Sequence, residues 1–271
     1  MTTSRILALG AHPDDCDISA GGTAILWSRA GCTVQFVSVT NGESGHHEQA
    51  GPEIVARRAA EAKAAGEVAG IDYLVMDNPD GQLLPGLEER WKLMRVIREF
   101  RPDLILTHRP NDYHPDHRYT SQLVQDCAYL VGVPHVCPDV PPLPTNPVIA
   151  YFQDTFQKPA PFHADVSIDI DAVFDEKVRM LDCHESQFYE WLPWIGAHGL
   201  ESSDDPTERL EMMKDFARAH GIPTPQAREC LEKWYGSDHA ASVKYSESFE
   251  ACEYGSPLDE AAIRRLFPVP D

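Results

Sequence analysis

Apolar and polar positions switch between a strand-like and a helix-like period along the first half of the chain. Residues 5–9 (RILAL) form a short apolar run, and residues 17–30 have helical character closed by Gly31. Residues 33–39 (TVQFVSV) are β-branched and predict a second strand. A polar loop, NGESGHHEQAG, separates that strand from a helix opened by Pro52 and stopped by Gly70. Residues 72–76 predict a third strand, NPDG at 78–81 a turn, and 87–100 a helix with Trp91, Met94, Val96 and Ile97 apolar. A fourth strand, LILT at 104–107, precedes the loop HRPNDYH, after which Pro115 opens a helix running to about residue 131.

Strands alternating with helices predict an α/β, Rossmann-like three-layer fold: a mainly parallel sheet with helices on both faces. Ligands of such sheets gather beyond the carboxyl ends of the strands. A proline-rich connector spans residues 133–147, and strand character returns at 148–152 and 164–170. Residues 171–189 predict one helix, and loops at 196–205 and 222–226 flank a charged helix at 207–220. Periodicity weakens beyond that. The reading is a single domain over residues 1–271, with an α/β core at 1–190 and an irregular C-terminal extension at 191–271.

Composition narrows the partners. The 271 residues carry 43 acidic and 23 basic side chains, a formal net charge of −20. Such a chain repels a phosphate backbone and an anionic membrane surface, so no nucleic-acid partner is expected. No apolar run is long enough for a membrane span, and the first residues lack the pattern of a secretion signal. Seven scattered cysteines without a C-x-x-C pair suit reduced thiols, so a cytoplasmic location is expected.

The chemistry concentrates in two segments. Ala11-His12-Pro13-Asp14-Asp15 follows the first predicted strand. The proline-stiffened turn lets His12 and Asp15 converge above the sheet edge, with Asp14 as a second carboxylate. Burying adjacent carboxylates beside a histidine is costly unless a cation compensates. The plainer alternative is a helix N-cap made by Asp14 or Asp15. His114-Pro115-Asp116-His117 follows the fourth predicted strand, at the same end of a parallel sheet. One H-x-x-H is usually a pair of surface polar residues, but two His/Asp clusters at strand carboxyl ends point to a metal site. His12, Asp15, His114 and His117 are the candidate ligands, with Asp14 and Asp116 beside them. Two imidazoles and one carboxylate suit Zn²⁺ with an open fourth position, and equally the facial triad of a non-haem Fe(II) oxygenase.

AHPDD after the first strand and HPDH after the fourth resemble the LmbE-like, or PIG-L, zinc de-N-acetylases. Thr40-Asn41-Gly42-Glu43, the helical Arg58-Ala59-Ala60-Glu61 and Asn78-Pro79-Asp80-Gly81 extend the resemblance. His184-Glu185-Ser186-Gln187-Phe188 is similar to a segment of the family's diacetylchitobiose deacetylases. The resemblance implies zinc bound by His12, Asp15 and His117, with Asp14 as general base. It implies that His114 stabilises the developing oxyanion and that Asp116 orients it and favours its protonated form. Arg58 and Asp80 fall where such enzymes hold sugar hydroxyls. Cys16 stands where many members have Glu, outside the ligand set. The implied activity is removal of acetyl from an N-acetylated sugar of N-acetylglucosamine type, and the enzymes resembled are often homo-oligomers.

Other groups have plainer explanations. His46 and His47 read as solvated loop residues, and Arg57 with Arg58 as a charged helix face. The aromatic segment FYEWLPW, with Phe188, Tyr189, Trp191 and Trp194, could stack on sugar rings, but core packing or a subunit contact is the commoner use of such a cluster, and Cys16 reads as a small buried residue. A dinucleotide-dependent oxidoreductase is disfavoured because HPDD stands where G-x-G-x-x-G is needed. A non-catalytic sugar-binding protein remains as a competitor, although a purely structural metal site has no use for Asp14.

Overall fold

The computed structural model describes residues 3–270. Strands β1 (Arg5–Gly10), β2 (Thr33–Thr40), β3 (Asp72–Asn78), β4 (Leu104–Thr107) and β5 (Val148–Phe152) pair in parallel. With β6 (Val166–Asp169) and β7 (Ser246–Gly255) they form a seven-stranded sheet in the order β3-β2-β1-β4-β5-β7-β6. Strand β7 is antiparallel to both its neighbours.

Alternate residues of the inner strands feed opposite faces, as the pleat requires. Ile6 and Ala8 of β1 join Ala20, Ala24 and Trp27 of α1 (Asp15–Arg29) and Ala65 and Ala69 of α2 (Pro52–Ala69) in one core. Leu7 and Leu9 join Leu93, Met94 and Ile97 of α3 (Leu87–Phe100) and Leu123, Val124 and Cys127 of α4 (Pro115–Leu130) in the other. The chain leaves β1 towards β2 on one side, while β4 lies on the other. The carboxyl ends of β1 and β4 therefore flank the point where strand order reverses. Both histidine motifs sit there.

Two expectations need correction. Residues 171–189 do not form one helix. A 3₁₀ turn (Asp171–Val173) leads into α5 (Phe174–Asp182), and after a break the chain resumes as a π-helical turn (Ser186–Trp191) followed by the short α6 (Leu192–Trp194). The Glu61 carboxylate accepts from Ser186 N at 2.9 Å and Ser186 Oγ at 2.6 Å, capping the second segment from outside the helix. The region from 191 onward is also not an appendage to the sheet. After α7 (Pro206–Gly221), α8 (Pro225–Tyr235) and α9 (Ser237–Ser242), β7 inserts between β5 and β6, and α10 (Glu260–Leu266) packs Ile263 and Leu266 into the α1 core. The polar spelling of β7, SESFEACEYG, conceals it because Glu247 is buried against Lys177 rather than solvated. Among the described residues, no helix is long and apolar enough to cross a membrane.

Candidate metal centre and active site

The first motif is shaped by a tight turn. His12 O accepts from Asp14 N at 2.9 Å, and His12 N donates to Asp15 Oδ2 at 2.7 Å. A Cβ on Gly10 would lie 2.8 Å from Asp15 Cβ, so glycine is what lets the first turn of α1 close onto the end of β1. Asp14 occupies the N-cap position of α1, but its side chain makes no capping hydrogen bond. The helix-cap explanation therefore does not account for Asp14. Its buried carboxyl lies 3.3 Å from Arg58 Nη2.

His12, Asp15 and His117 converge. His12 Nδ1 is 3.4 Å from Asp15 Oδ2 and 3.2 Å from His117 Nε2, and His117 Nε2 is 3.4 Å from Asp15 Oδ1. The other nitrogen of each ring faces a carboxylate. His12 Nε2 is 3.1 Å from Asp80 Oδ1, and His117 Nδ1 is 3.1 Å from Asp112 Oδ1. Those outward contacts place the ring hydrogens on the carboxylate side and turn two lone pairs towards each other. Carboxylate behind imidazole is the usual support of a metal-binding histidine. The inward pair needs a proton or a cation between them, and burial makes the unshared arrangement costly.

Electrostatics agree. Burial would lower the His12 pKa, but Asp116, Asp15 and Asp80 overcome it and raise it well above the ordinary value. Asp15 is held well below the carboxylate range, burial notwithstanding, by His117 and His108. Among the described residues lining the cavity here, Arg58 carries the one permanent positive charge, against Asp14, Asp15 and Asp80. The surplus of acid is what a bound cation would balance.

His108 and Asp112 escaped the sequence reading. His108 is buried, stacks on His117 with ring centroids 4.0 Å apart, and reaches Asp15 Oδ2 at 3.2 Å. Asp15, His108 and His117 could together hold an ion, as could His12, His114 and His117, or His12, Asp80 and Asp116. His108 Nε2, however, already accepts from Ala11 N at 3.0 Å, which favours His12 as the second imidazole. The signal for Asp112 was present in NDYHPDH: an acid five positions before a ligand histidine, across the start of a helix.

Several expected roles change. The Asp116 carboxylate does not orient His114. It accepts from Gly81 N at 2.7 Å and Leu83 N at 3.3 Å, pinning the NPDG loop, and faces His12 Nε2 at 3.4 Å. Only the Asp116 main chain meets His114, donating to its Nδ1 at 3.2 Å. Burial, His12 and His117 lower the His114 pKa against the pull of Asp116 and Asp80. Asp80 is committed to His12 and to Ser44 N rather than standing free for a hydroxyl. Arg58 does line the cavity, held near Asp14 and Asp80 beside Gly42, whose positive φ and absent Cβ leave it room. His46 is not solvated: it is buried and bonds Glu190 at 2.7 Å. The aromatic segment divides, with Phe188 and Tyr189 in the core and Trp191 lining the cavity. Cys16 is buried as expected.

The cavity measures about 200 Å³ and adds Ser44, Gly45, Tyr113 and Gln187 to the residues above. A larger one of about 420 Å³ lies on α3, α4 and the proline-rich connector, but no acidic residue lines it. Volume does not locate the chemistry here; the converging polar groups do.

The family described as "PIG-L: GlcNAc-PI de-N-acetylase" matches residues 7–128, which span both motifs. Diacetylchitobiose deacetylase of Thermococcus kodakarensis is 31% identical over 207 residues, covering 70% of this chain and 74% of its own. The chain belongs to the PIG-L family. The relationship reaches past deacetylases: 4-oxalmesaconate hydratase of Pseudomonas putida is 25% identical, over 68% of this chain and 74% of its own. In three dimensions, N,N'-diacetylchitobiose deacetylase of Pyrococcus horikoshii superposes with a TM-score of 0.69 at 22% identity, covering 98% of this chain and 87% of that one. That likeness places the α/β architecture, including the C-terminal third, within the PIG-L fold.

Proposed function

We propose that this PIG-L protein is a zinc-dependent N-deacetylase acting on a neutral N-acetylated sugar of N-acetylglucosamine type. The observation that carries the reading is the His12, Asp15 and His117 trio with Asp14 beside it. Ligand atoms about 2.0–2.1 Å from a tetrahedral zinc lie about 3.3–3.4 Å apart. The two imidazole nitrogens stand 3.2 Å apart, and each lies 3.4 Å from one of the two Asp15 oxygens, His12 Nδ1 from Oδ2 and His117 Nε2 from Oδ1, distances of that order. Zinc held there would supply a Lewis acid and a water of lowered pKa.

The remaining steps belong to the protein. Asp14 is buried in the same cavity, outside the trio, and its pKa is raised by burial against the opposing pull of Arg58. A carboxylate so placed can take a proton from the attacking water and return it to the leaving amine. His114 accepts from Asp116 N at Nδ1, so its hydrogen resides on Nε2, a neutral donor for the oxygen that becomes negative. Removing such a donor costs on the order of 10²–10³ in rate. Arg58 meets a substrate hydroxyl, while Asp80 and Asp112 hold the two ligand imidazoles in register. Surplus acid at the site and the net charge of −20 favour a neutral sugar over a phosphorylated one.

The test is acetate release from a panel of N-acetylated sugars by zinc-loaded protein, with chelator and with zinc restored. Release that chelator abolishes and zinc restores is expected. No acetate from any sugar would overturn the reading, and the hydratase relative makes direct detection of acetate the deciding measurement.

A further inference from the structure

The cavity on α3, α4 and the proline-rich connector shares no lining residue with the one at the metal centre. Its volume of about 420 Å³ falls within the ~300–1,000 Å³ usual for small-molecule sites. Leu87 and Trp91 of α3, Leu130 of α4 and Val136 of the connector give it apolar walls. Leu87 and Trp91 are exposed, so a concave apolar surface is left in water. Arg90, Arg95 and His135 add nitrogen donors, and no carboxylate lines the cavity, in a chain whose net charge is −20.

The two arginines are not equally free. Asp139 holds Arg95 through Nε at 2.6 Å and Nη2 at 3.1 Å. Arg90 reaches Asp126 Oδ2 only at 3.4 Å, and that carboxylate already accepts from Gln122 Nε2 at 2.7 Å. Arg90 Nε is buried without a hydrogen-bond partner among the described residues. The wall is also charged from behind. Arg98, only 2% exposed, donates to the carbonyls of Leu130, Val131, Val133, Val136, Cys137 and Val140. Those bonds fold the connector onto the carboxyl end of α4 and fix the cavity's shape before a ligand arrives. The helix end offers about half a negative charge against the guanidinium, so a positive surplus remains beside the cavity.

We infer that this cavity binds a small amphipathic monocarboxylate, its apolar body against Trp91 and Leu130 and its carboxylate on Arg90. A guanidinium presents paired donors in the geometry a carboxylate accepts. One weakly engaged arginine balances one negative charge, whereas a phosphate ester would carry a second charge into an acidic protein. A second copy of the chain is a poorer occupant, because it brings its own surplus of acid to the same face. The site is independent of the deacetylase reading.

Calorimetric titration of the zinc-loaded protein with 4-phenylbutyrate, 4-phenylbutan-1-ol and acetate separates the apolar body from the charge. The acid is expected to bind about tenfold more tightly than its alcohol, and more tightly than acetate. Arg90→Gln should reduce the acid to the affinity of the alcohol and leave the alcohol unchanged. Trp91→Leu should weaken both about fivefold. Both side chains are partly exposed, and circular dichroism melts check that the variants fold. In the wild type alone, an acid that binds no more tightly than its alcohol overturns the inference. Affinity undiminished in Arg90→Gln does the same, since it places the carboxylate on zinc. Sedimentation that shows self-association, abolished by Trp91→Leu but not by 4-phenylbutyrate, assigns the face to a second copy and also overturns it.

Discussion

Replacing Lys177 with Met tests how the helix that carries Asp14 and Asp15 is held. Lys177 Nζ lies 2.6 Å from Glu247 Oε1 and donates to Ile18 O at 2.8 Å. The Glu247 carboxylate also accepts from Gly22 N at 2.8 Å, Thr23 N at 2.7 Å and Thr23 Oγ1 at 2.6 Å. The pair thus joins α5 and β7 to the middle of α1, with side chains only 2% and 3% exposed. Met preserves the volume of the lysine stem but leaves the carboxylate buried without its cation. Breaking a buried pair in this way costs about 3–5 kcal/mol. Against a total stability of about 5–15 kcal/mol that is a large share, and at about 2–4 °C per kcal/mol it lowers Tm by roughly 6–20 °C. Glu247→Gln removes the charge and keeps one acceptor oxygen, enough for Thr23 N and Oγ1 but not also for Gly22 N, which donates to the other carboxylate oxygen. The double variant should therefore be more stable than the sum of the single losses predicts, by about 1–2 kcal/mol. Urea unfolding followed by circular dichroism gives all four corners of the cycle. Lys177→Met within 1 kcal/mol of wild type, or strict additivity, would refute the argument.

Three further outcomes concern the site. Asp14→Asn should retain zinc, measured by atomic emission, and lose most acetate-releasing activity; full activity would eliminate Asp14 as the base. Asp112→Asn weakens the carboxylate behind His117 and should lower zinc affinity about 10–100-fold in competition with a chromophoric chelator, and an unchanged affinity would remove Asp112 from the metal's support. In metal-free protein, burial would raise the Asp80 pKa, but His12 and Arg58 hold it at about 2. With an unfolded value of about 3.9, that stabilisation is present above about pH 4 and lost as pH falls through 2, amounting to about 2.5 kcal/mol. The stability difference between wild type and Asp80→Asn should therefore shrink between pH 5 and pH 2; a difference independent of pH would contradict the assignment.

The elements that were legible are those whose burial follows a simple period. Helices Pro52–Ala69 and Leu87–Phe100 and strand Leu104–Thr107 match their sequence expectations residue for residue, since each carries its own opening and closing signals. Helix α1 starts earlier than its apolar pattern, because Asp15 belongs to its first turn and to the site at once. Strand β7 was hidden by Glu247, whose burial depends on a lysine 70 positions away. The break after Asp182 was hidden for a similar reason: its cap comes from Glu61, 125 positions from Ser186. No local window contains these partners.

The chain alone determined the order of alternating elements and the positions of both His/Asp motifs just past strand ends, because strand and helix periods and turn residues are local properties. It therefore also determined that His12, Asp15 and His117 would stand at one edge of the sheet. Only the tertiary structure decided which nitrogen of each imidazole points inward, because Asp80 and Asp112 reach them from other loops. It likewise moved Asp116 from His114 to the loop at Gly81 and Leu83, and turned Trp191 towards the cavity. Orientation is set by partners distant in sequence, and folding is what brings them within hydrogen-bonding reach.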